Sequence, residues 1–146
     1  LVIVSVKSNM NKKKVIFICT GNACRSQIAE GILRKMSEGL FDVYSAGSNP
    51  SRLHPASVKV MNEIGIDISH HVSESIDKYI NAGIDISITV CDNAQKVCPT
   101  FPGNVNQIHW SIEDPYHGWS ANEEELPPYR ETREELIKRI KLFLKK

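Results

Sequence analysis

Features that would indicate binding to nucleic acid, to a membrane or to a metal ion are scarce or missing in this 146-residue sequence. The net charge is only +1, so there is no overall field that would attract nucleic acid or an anionic membrane surface. No apolar run approaches the ~20 residues of a membrane-spanning helix. The five histidines show no metal-ligand spacing. We therefore expect a local site, with neither nucleic acid nor a membrane as partner.

Cysteine is also scarce, with four residues and no signal-peptide core ahead of them. This usage predicts a reducing, cytoplasmic location, where thiols are more often catalytic or metal-binding than structural disulfides. A chain of this length fits one domain with its own core. We expect residues 1–13 to be an N-terminal extension outside the core and residues 14–146 to form that single domain.

Short apolar runs rich in β-branched residues alternate with helical patterns along the chain. The runs predict strands at 15–18, 41–47, 85–90 and 107–110. The helical patterns predict helices after Ser26, from Pro55, at 73–80 and from Pro128. This alternation predicts an α/β three-layer sandwich with a four-stranded parallel sheet, whose ligands bind at the carboxyl ends of the strands.

The segment from Val15 to Gln27 is the part around which the chain is organised. An apolar strand stops at a cysteine, and an apolar-periodic helix follows that Ser26 can cap. The chain must turn tightly in between, and Gly21 and Asn22 tolerate the backbone angles of such a turn. Successive backbone N–H groups in the turn can point inward and form an anion-binding nest.

Cys19 and Arg25 carry the chemistry of this segment. Cys19 faces the positive end of a helix with Arg25 folding back over the loop, and both effects favour the thiolate, a nucleophile. The nest and the guanidinium suit a tetrahedral oxyanion such as phosphate or arsenate. A buried, unreactive Cys19 with a solvated Arg25 is the alternative, which the demanding C-x5-R-S spacing disfavours. The predicted oxyanion-binding residues are Thr20, Gly21, Asn22, Ala23, Cys24, Arg25 and Ser26, with Cys24 as a packed, non-catalytic thiol.

The sequence CTGNACRSQ resembles the phosphate-binding loop shared by low-molecular-weight protein tyrosine phosphatases and thioredoxin-coupled arsenate reductases of the same fold. Gln27 resembles the reductases, since the phosphatases usually have proline after the serine. The resemblance implies a low-molecular-weight-phosphatase-like fold and arsenate as the substrate, with phosphate or sulfate as competing oxyanions.

Cys91 and Cys98 lie at or beyond the end of a strand predicted to neighbour the first, so a thiol there can approach Cys19. Two incidental loop thiols are one alternative. A zinc site is another, which would block the nucleophile. The resemblance favours a redox relay, because the reductases carry such a cysteine pair and the phosphatases do not. It implies attack of Cys19 on arsenate, then of Cys91 on Cys19 and of Cys98 on Cys91, with thioredoxin as the external reductant.

Asp114 precedes Pro115, which holds it extended after the fourth strand, where it can reach the pocket as a general acid. An ordinary turn aspartate is the alternative. The position matches the general-acid loop of both families, but Tyr116 resembles the phosphatases. A phosphatase that works through a phosphocysteine intermediate is therefore the alternative function. A non-catalytic oxyanion-binding or redox-sensing module is a third.

Four residues match reductase positions that shape the loop and in some members bind potassium: Asn22, Glu30, Ser45 and Glu74. The usual residue at the fourth position is aspartate rather than glutamate. Loop-bracing hydrogen bonds explain the same residues equally well. We expect no tightly bound cofactor other than this candidate potassium ion.

Overall fold

The structure is a computed structural model that describes residues 12–92 and 100–145. The predicted N-terminal extension up to residue 11 and Cys98 lie outside these ranges. Four strands form one parallel sheet in the order β2-β1-β3-β4, which confirms the predicted fold class. Their bounds are β1 Lys13–Cys19, β2 Phe41–Gly47, β3 Ile86–Thr89 and β4 Asn106–His109.

Three α-helices are present in the described residues: α1 Arg25–Ser37, α2 Pro55–Asn62 and α3 Pro127–Leu144. Pro55 opens α2, as predicted, because a proline at the first helical position needs no N–H partner. The expected helix at 73–80 is wrong. Only a 3-10 turn forms at Ile76–Tyr79, because the chain at Ser75 is still extended and bridges in parallel to Gly47 at the end of β2.

The core lies on both faces of β1, whose residues from Val15 to Cys19 are all buried. Side chains of β1 with odd numbers, such as Val15 and Phe17, pack in one cluster with α1, α2 and α3. Ile16 and Ile18 pack in a second cluster with Phe101 and the 3-10 turn. A strand buried on both faces has a continuous apolar run in its sequence. That pattern made β1 predictable.

The register brings the functional ends of the strands together. Cys19 pairs with Gly47 of β2, and Ile18 pairs with Thr89 of β3. Cys91 therefore follows β3 at the same edge at which Cys19 closes β1, as parallel pairing requires. No helix in the described part of the chain has the length and apolar content needed to cross a membrane.

Candidate active site

The turn between β1 and α1 wraps around the sulfur of Cys19, which is 3% exposed. Asn22 has φ of 49°, a left-handed conformation that asparagine tolerates better than most residues. Its backbone N–H donates to Cys19 Sγ at 3.3 Å. The hydroxyl of Ser26 lies 2.9 Å from the same sulfur. The turn thus places two polar groups, the Asn22 N–H and the Ser26 hydroxyl, against the Cys19 sulfur at the start of α1.

Ser26 orients its proton toward the sulfur rather than capping the helix. The helix α1 begins at Arg25 with Cys24 as its N-cap residue, so the predicted capping role of Ser26 is wrong. Its Oγ accepts a hydrogen bond from Asn22 Nδ2 at 2.7 Å, which leaves its own proton for Cys19. An O–H donor, an N–H donor and a helix N-terminus all stabilise negative charge on the sulfur.

Gly47, the last residue of β2, packs against the backbone of the same turn. A Cβ added at Gly47 would lie 2.4 Å from Thr20 O and 3.0 Å from Asn22 N. The backbone of Asn49 also donates to Thr20 O at 2.9 Å. Because no side chain fits between β2 and the turn, glycine at position 47 allows the two backbones to touch.

A polar layer behind the turn fixes Asn22. Its Oδ1 accepts from the backbone N–H of Glu74 at 2.8 Å and from Gln27 Nε2 at 3.1 Å. Ser73 Oγ donates to the Asn22 carbonyl at 2.7 Å. His71 Nδ1 lies 2.9 Å from Gln27 Oε1, and burial lowers the pKa of His71 to about 4. A neutral histidine therefore donates to Gln27 and orients its amide toward Asn22.

The structure brings the side chains of three candidate potassium residues into this layer, whereas Glu74 enters it through its backbone N–H and its carboxylate lies 3.1 Å from Lys78 Nζ. Ser45 Oγ accepts from Asn22 Nδ2 at 3.0 Å and donates to Glu30 Oε1 at 2.6 Å. Arg34 Nη2 lies 2.6 Å from Glu30 Oε2 and also donates to the Val43 carbonyl. Burial raises the pKa of Glu30, while Ser45 and Arg34 act in the opposite direction. The protein already supplies partners to Glu30 and to the Asn22 amide, so these contacts fit loop bracing.

Arg25 joins the anion-binding turn to the loop that carries Asp114. Its side chain is 8% exposed, and Nη2 lies 3.5 Å from Asp114 Oδ2. Its Nη1 donates to the carbonyl of Ile112 at 3.0 Å. The Ile112 N–H in turn donates to the Cys91 carbonyl at 3.2 Å. The guanidinium, the predicted acid and the strand end that carries the second cysteine thus form one connected arrangement.

A cavity of about 310 Å³ opens over Cys19. Its floor is the turn with Arg25, and one wall is formed by Tyr116 and Trp119 together with Asp114. Asn49 and Ser51 also line it. The predicted nucleophile and acid therefore share one pocket with most of the predicted oxyanion-binding residues. Asn22 and Ser26 do not line it, because both are fully buried. The aromatic wall leaves room beyond the oxyanion for a larger substituent.

The cysteines differ sharply in environment. Burial raises the pKa of Cys24 to about 12, which keeps it a thiol at neutral pH. Cys91 is 5% exposed and disulfide-bonded, whereas Cys19 and Cys24 are free. No group of three or more metal-ligating side chains occurs within 12–92 and 100–145.

The sequence reasoning missed His54, which touches the pocket's supporting loops and is fully buried. The histidines lack metal-ligand spacing, so that pattern gives no signal for it. Its position directly before Pro55 was the available signal, since that is the N-cap position of α2. Its Nδ1 accepts from the Ala56 N–H at 3.0 Å.

Residues 14–146 match the family described as Low molecular weight phosphotyrosine protein phosphatase. An arsenate reductase of Halalkalibacterium halodurans is 45% identical over 134 residues, covering 92% of this chain and 96% of the relative. The chain belongs to the low molecular weight phosphotyrosine protein phosphatase family. That relative is named as a reductase rather than a phosphatase.

Solved structures agree with this family assignment. An arsenate reductase in a phosphate-binding state superposes with a TM-score of 0.76 at 31% identity, covering 91% of this chain and 97% of that one. A thioredoxin-dependent arsenate reductase of Corynebacterium glutamicum superposes with a TM-score of 0.70 at 27% identity, covering 98% of this chain and 68% of that one. The resemblance read from CTGNACRSQ is thereby confirmed.

Proposed function

We propose that this protein reduces arsenate to arsenite, using Cys19 as the nucleophile and an intramolecular disulfide relay. The observation that carries the proposal is the shared strand edge. Cys19 ends β1 at the oxyanion-binding turn, and the disulfide-bonded Cys91 lies two residues beyond the end of the neighbouring strand β3. The relatives named as arsenate reductases support the same activity.

Arsenate binds in the cavity over Cys19. The backbone N–H groups of the turn and the fork of Arg25 hold its oxygens, because a tetrahedral oxyanion matches both kinds of donor. Phosphate and sulfate have the same shape and compete for the site. The phosphate-binding state of the related reductase supports this ligand class.

The first chemical step forms a bond between Cys19 Sγ and arsenic(V). One hydroxyl group leaves as water after Asp114 has given it a proton. Asp114 is placed for this role by its position on the pocket wall, 3.5 Å from Arg25 Nη2. The product is a covalent adduct of Cys19 with arsenic still in its oxidised state.

The second step transfers two electrons. The Cys91 thiolate attacks Cys19 Sγ, the sulfur–arsenic bond breaks, and its electron pair stays on arsenic, which leaves as arsenite. Cys98 then attacks Cys91 and releases Cys19 as a thiolate. An oxidised Cys91 beside a free Cys19 is the state expected after this exchange.

An external dithiol protein reduces the Cys91–Cys98 disulfide with two electrons and two protons. We propose thioredoxin for this role and the cytoplasm as the location. The thioredoxin-dependent relative supports the choice of reductant. Neither nucleic acid nor a membrane has a part in this proposal.

The test is arsenate-dependent NADPH oxidation with thioredoxin and thioredoxin reductase, run beside glutathione with glutaredoxin. We expect turnover with thioredoxin. The Cys91→Ser variant should lose at least a thousandfold in multiple-turnover rate, because the adduct on Cys19 cannot be resolved. No turnover of the wild-type protein with either reductant would contradict the proposal.

A phosphatase is the second candidate function, and the wall of Tyr116 and Trp119 favours it because aromatic rings pack well against an aryl ester. This reaction would use Cys19, Arg25 and Asp114 through a phosphocysteine, with Cys91 dispensable. Hydrolysis of p-nitrophenyl phosphate by the Cys91→Ser variant separates the two. Retained hydrolysis with lost arsenate turnover indicates a reductase with residual phosphatase activity.

For the polar layer around Glu30 we propose that Arg34 supplies the compensating positive charge, so that potassium is not required. We expect equal arsenate reduction rates in KCl and NaCl at the same ionic strength. The Arg34→Gln variant removes the charge beside Glu30 and should become sensitive to the choice of cation. A clear acceleration of the wild-type protein by KCl would instead show that a potassium ion binds.

A further inference from the structure

His54 connects both loops of the pocket, although it contacts no substrate position. Its backbone N–H donates to the Ala23 carbonyl in the anion-binding turn at 3.1 Å. Its ring Nε2 lies 2.7 Å from the carbonyl of Gly118. Gly118 follows Asp114 in the loop of residues 110–122, here called the acid loop. His54 is therefore hydrogen-bonded both to the anion-binding turn, at Ala23, and to the acid loop, at Gly118.

The hydrogen bonds of the ring assign its tautomer. Nδ1 accepts from the Ala56 N–H at 3.0 Å, so it carries no proton. The proton is on Nε2, which donates to the Gly118 carbonyl and lies 3.1 Å from the Tyr129 hydroxyl. Burial lowers the pKa of His54. A proton on Nδ1 would also point at the N–H of Ala56, which needs Nδ1 as its acceptor. His54 is a neutral donor in one fixed orientation.

Two of the contacts that hold the acid loop lie on either side of Asp114 in the sequence. On one side, the Ile112 carbonyl accepts from Arg25. On the other side, the Gly118 carbonyl accepts from His54, and the Trp119 ring stacks on the imidazole with centroids 4.8 Å apart and an interplanar angle of 12°. Loss of the second contact would remove the hydrogen bond and the ring stacking that tie the segment after Asp114 to the start of α2.

We propose that His54 is a positioning residue that couples the anion-binding turn to the acid loop and thereby holds Asp114 over the pocket. The inference rests on the proposed role of Asp114 as proton donor. It predicts that a change at His54 slows the chemical step while leaving the oxyanion-binding turn intact, because that turn has its own contacts through Asn22 and Gly47.

The competing explanation is that His54 serves only as the N-cap of α2. Two substitutions separate the roles, because asparagine places a polar atom near the Nδ1 position and glutamine places one near Nε2. His54→Asn keeps a good N-cap but cannot reach Gly118. His54→Gln keeps a donor for Gly118 but is a poor cap.

The experiment is single-turnover arsenate reduction with excess reduced protein and no external reductant, since this isolates the steps at the pocket from recycling. Inorganic phosphate affinity and the melting temperature are measured on the same samples. We expect His54→Asn to melt within about 2 °C of the wild-type protein, bind phosphate within about twofold and react at least tenfold more slowly. His54→Gln should melt about 3 °C lower but react within about threefold of wild type.

The double variant His54→Asn/Asp114→Asn tests whether His54 acts through Asp114. It should react no more slowly than Asp114→Asn alone, since removal of the acid makes its positioning irrelevant. Multiplicative losses, or wild-type reactivity of His54→Asn beside a slow Asp114→Asn, would overturn the inference. Wild-type reactivity of Asp114→Asn would instead overturn the proposed acid, which is a separate failure.

Discussion

At the end of β2, even a methyl group would collide with the anion-binding turn. The Gly47→Ala variant should lower the free energy of unfolding by about 1–3 kcal/mol. It should also weaken phosphate binding about tenfold, because the backbone at Thr20 and Asn22 must move to admit the new Cβ. Equilibrium denaturation and calorimetric titration with phosphate measure the two effects.

Gly31→Ala is the matched control for that substitution. Its added Cβ would meet Ile68 Cγ2 at 2.9 Å and Met61 Cε at 3.0 Å. These are side-chain atoms of α2 and of the segment that follows it, rather than backbone of the pocket. We expect this variant to change stability and to leave phosphate affinity within about twofold. Equal affinity losses in both variants would show that the contact at Gly47 is not specific to the turn.

Individual residues differ in how far the sequence could predict them. Cys19 and Arg25 were predictable because strand, turn and helix start impose a fixed spacing on both. Gly47 and His54 were not, because their importance comes from contacts with chain segments distant in sequence. The role of Ser26 was assigned incorrectly, since a serine near a helix start usually caps it and here its hydroxyl lies against Cys19.

Among the larger elements, the acid loop carries its own pH dependence through His117. The ring lies 2.8 Å from the Pro115 carbonyl through Nδ1 and 2.6 Å from Glu125 Oε2 through Nε2. The Pro115 carbonyl, followed by Glu125, raises the pKa of His117. The charged form, with two N–H donors, therefore braces the loop better than the neutral form.

The sign of the effect follows from this raised pKa. The stabilisation by His117 is complete below the pKa of an unfolded histidine, about 6.5, and is lost as pH rises through the raised pKa of the folded protein. We expect the wild-type protein to melt above His117→Gln at pH 6, with the difference disappearing at high pH. The difference should be modest because the side chain is 41% exposed. A difference that grows with pH would contradict this.

The strands and long helices were predictable as elements because their apolar periodicity reflects burial against one another. The 3-10 turn at Ile76–Tyr79 was mistaken for a helix because the polar residues before it resemble a helix start. In the structure, the Glu74 carbonyl accepts a hydrogen bond from the Gly47 N–H, and the Glu74 N–H donates to Asn22 Oδ1. Contacts of that kind override a local helix signal and are not encoded in any short window of sequence.

For the molecule as a whole, the parallel sheet explains why one edge holds the functional groups. Parallel strands end at the same edge, so Cys19 and Gly47 at the ends of their strands and Cys91 two residues beyond β3 converge without long connections. The alternation of strands and helices predicted this convergence for Cys19 and Cys91. The resemblance to the reductases grouped Asn22, Glu30 and Ser45, but the partnership of Glu30 with Arg34 depends on side-chain orientation and could not be predicted.

The position of Ile112 has a spectroscopic consequence. Its carbonyl is hydrogen-bonded to Arg25, which we propose binds the oxyanion. Its amide is hydrogen-bonded to the carbonyl of Cys91, which we propose takes part in the disulfide relay. Filling of the pocket and exchange of the disulfide therefore act on opposite sides of one residue. In a nitrogen-15 correlation spectrum, the amide resonance of Ile112 should move in response to both events, so that a single peak reports occupancy and oxidation state together.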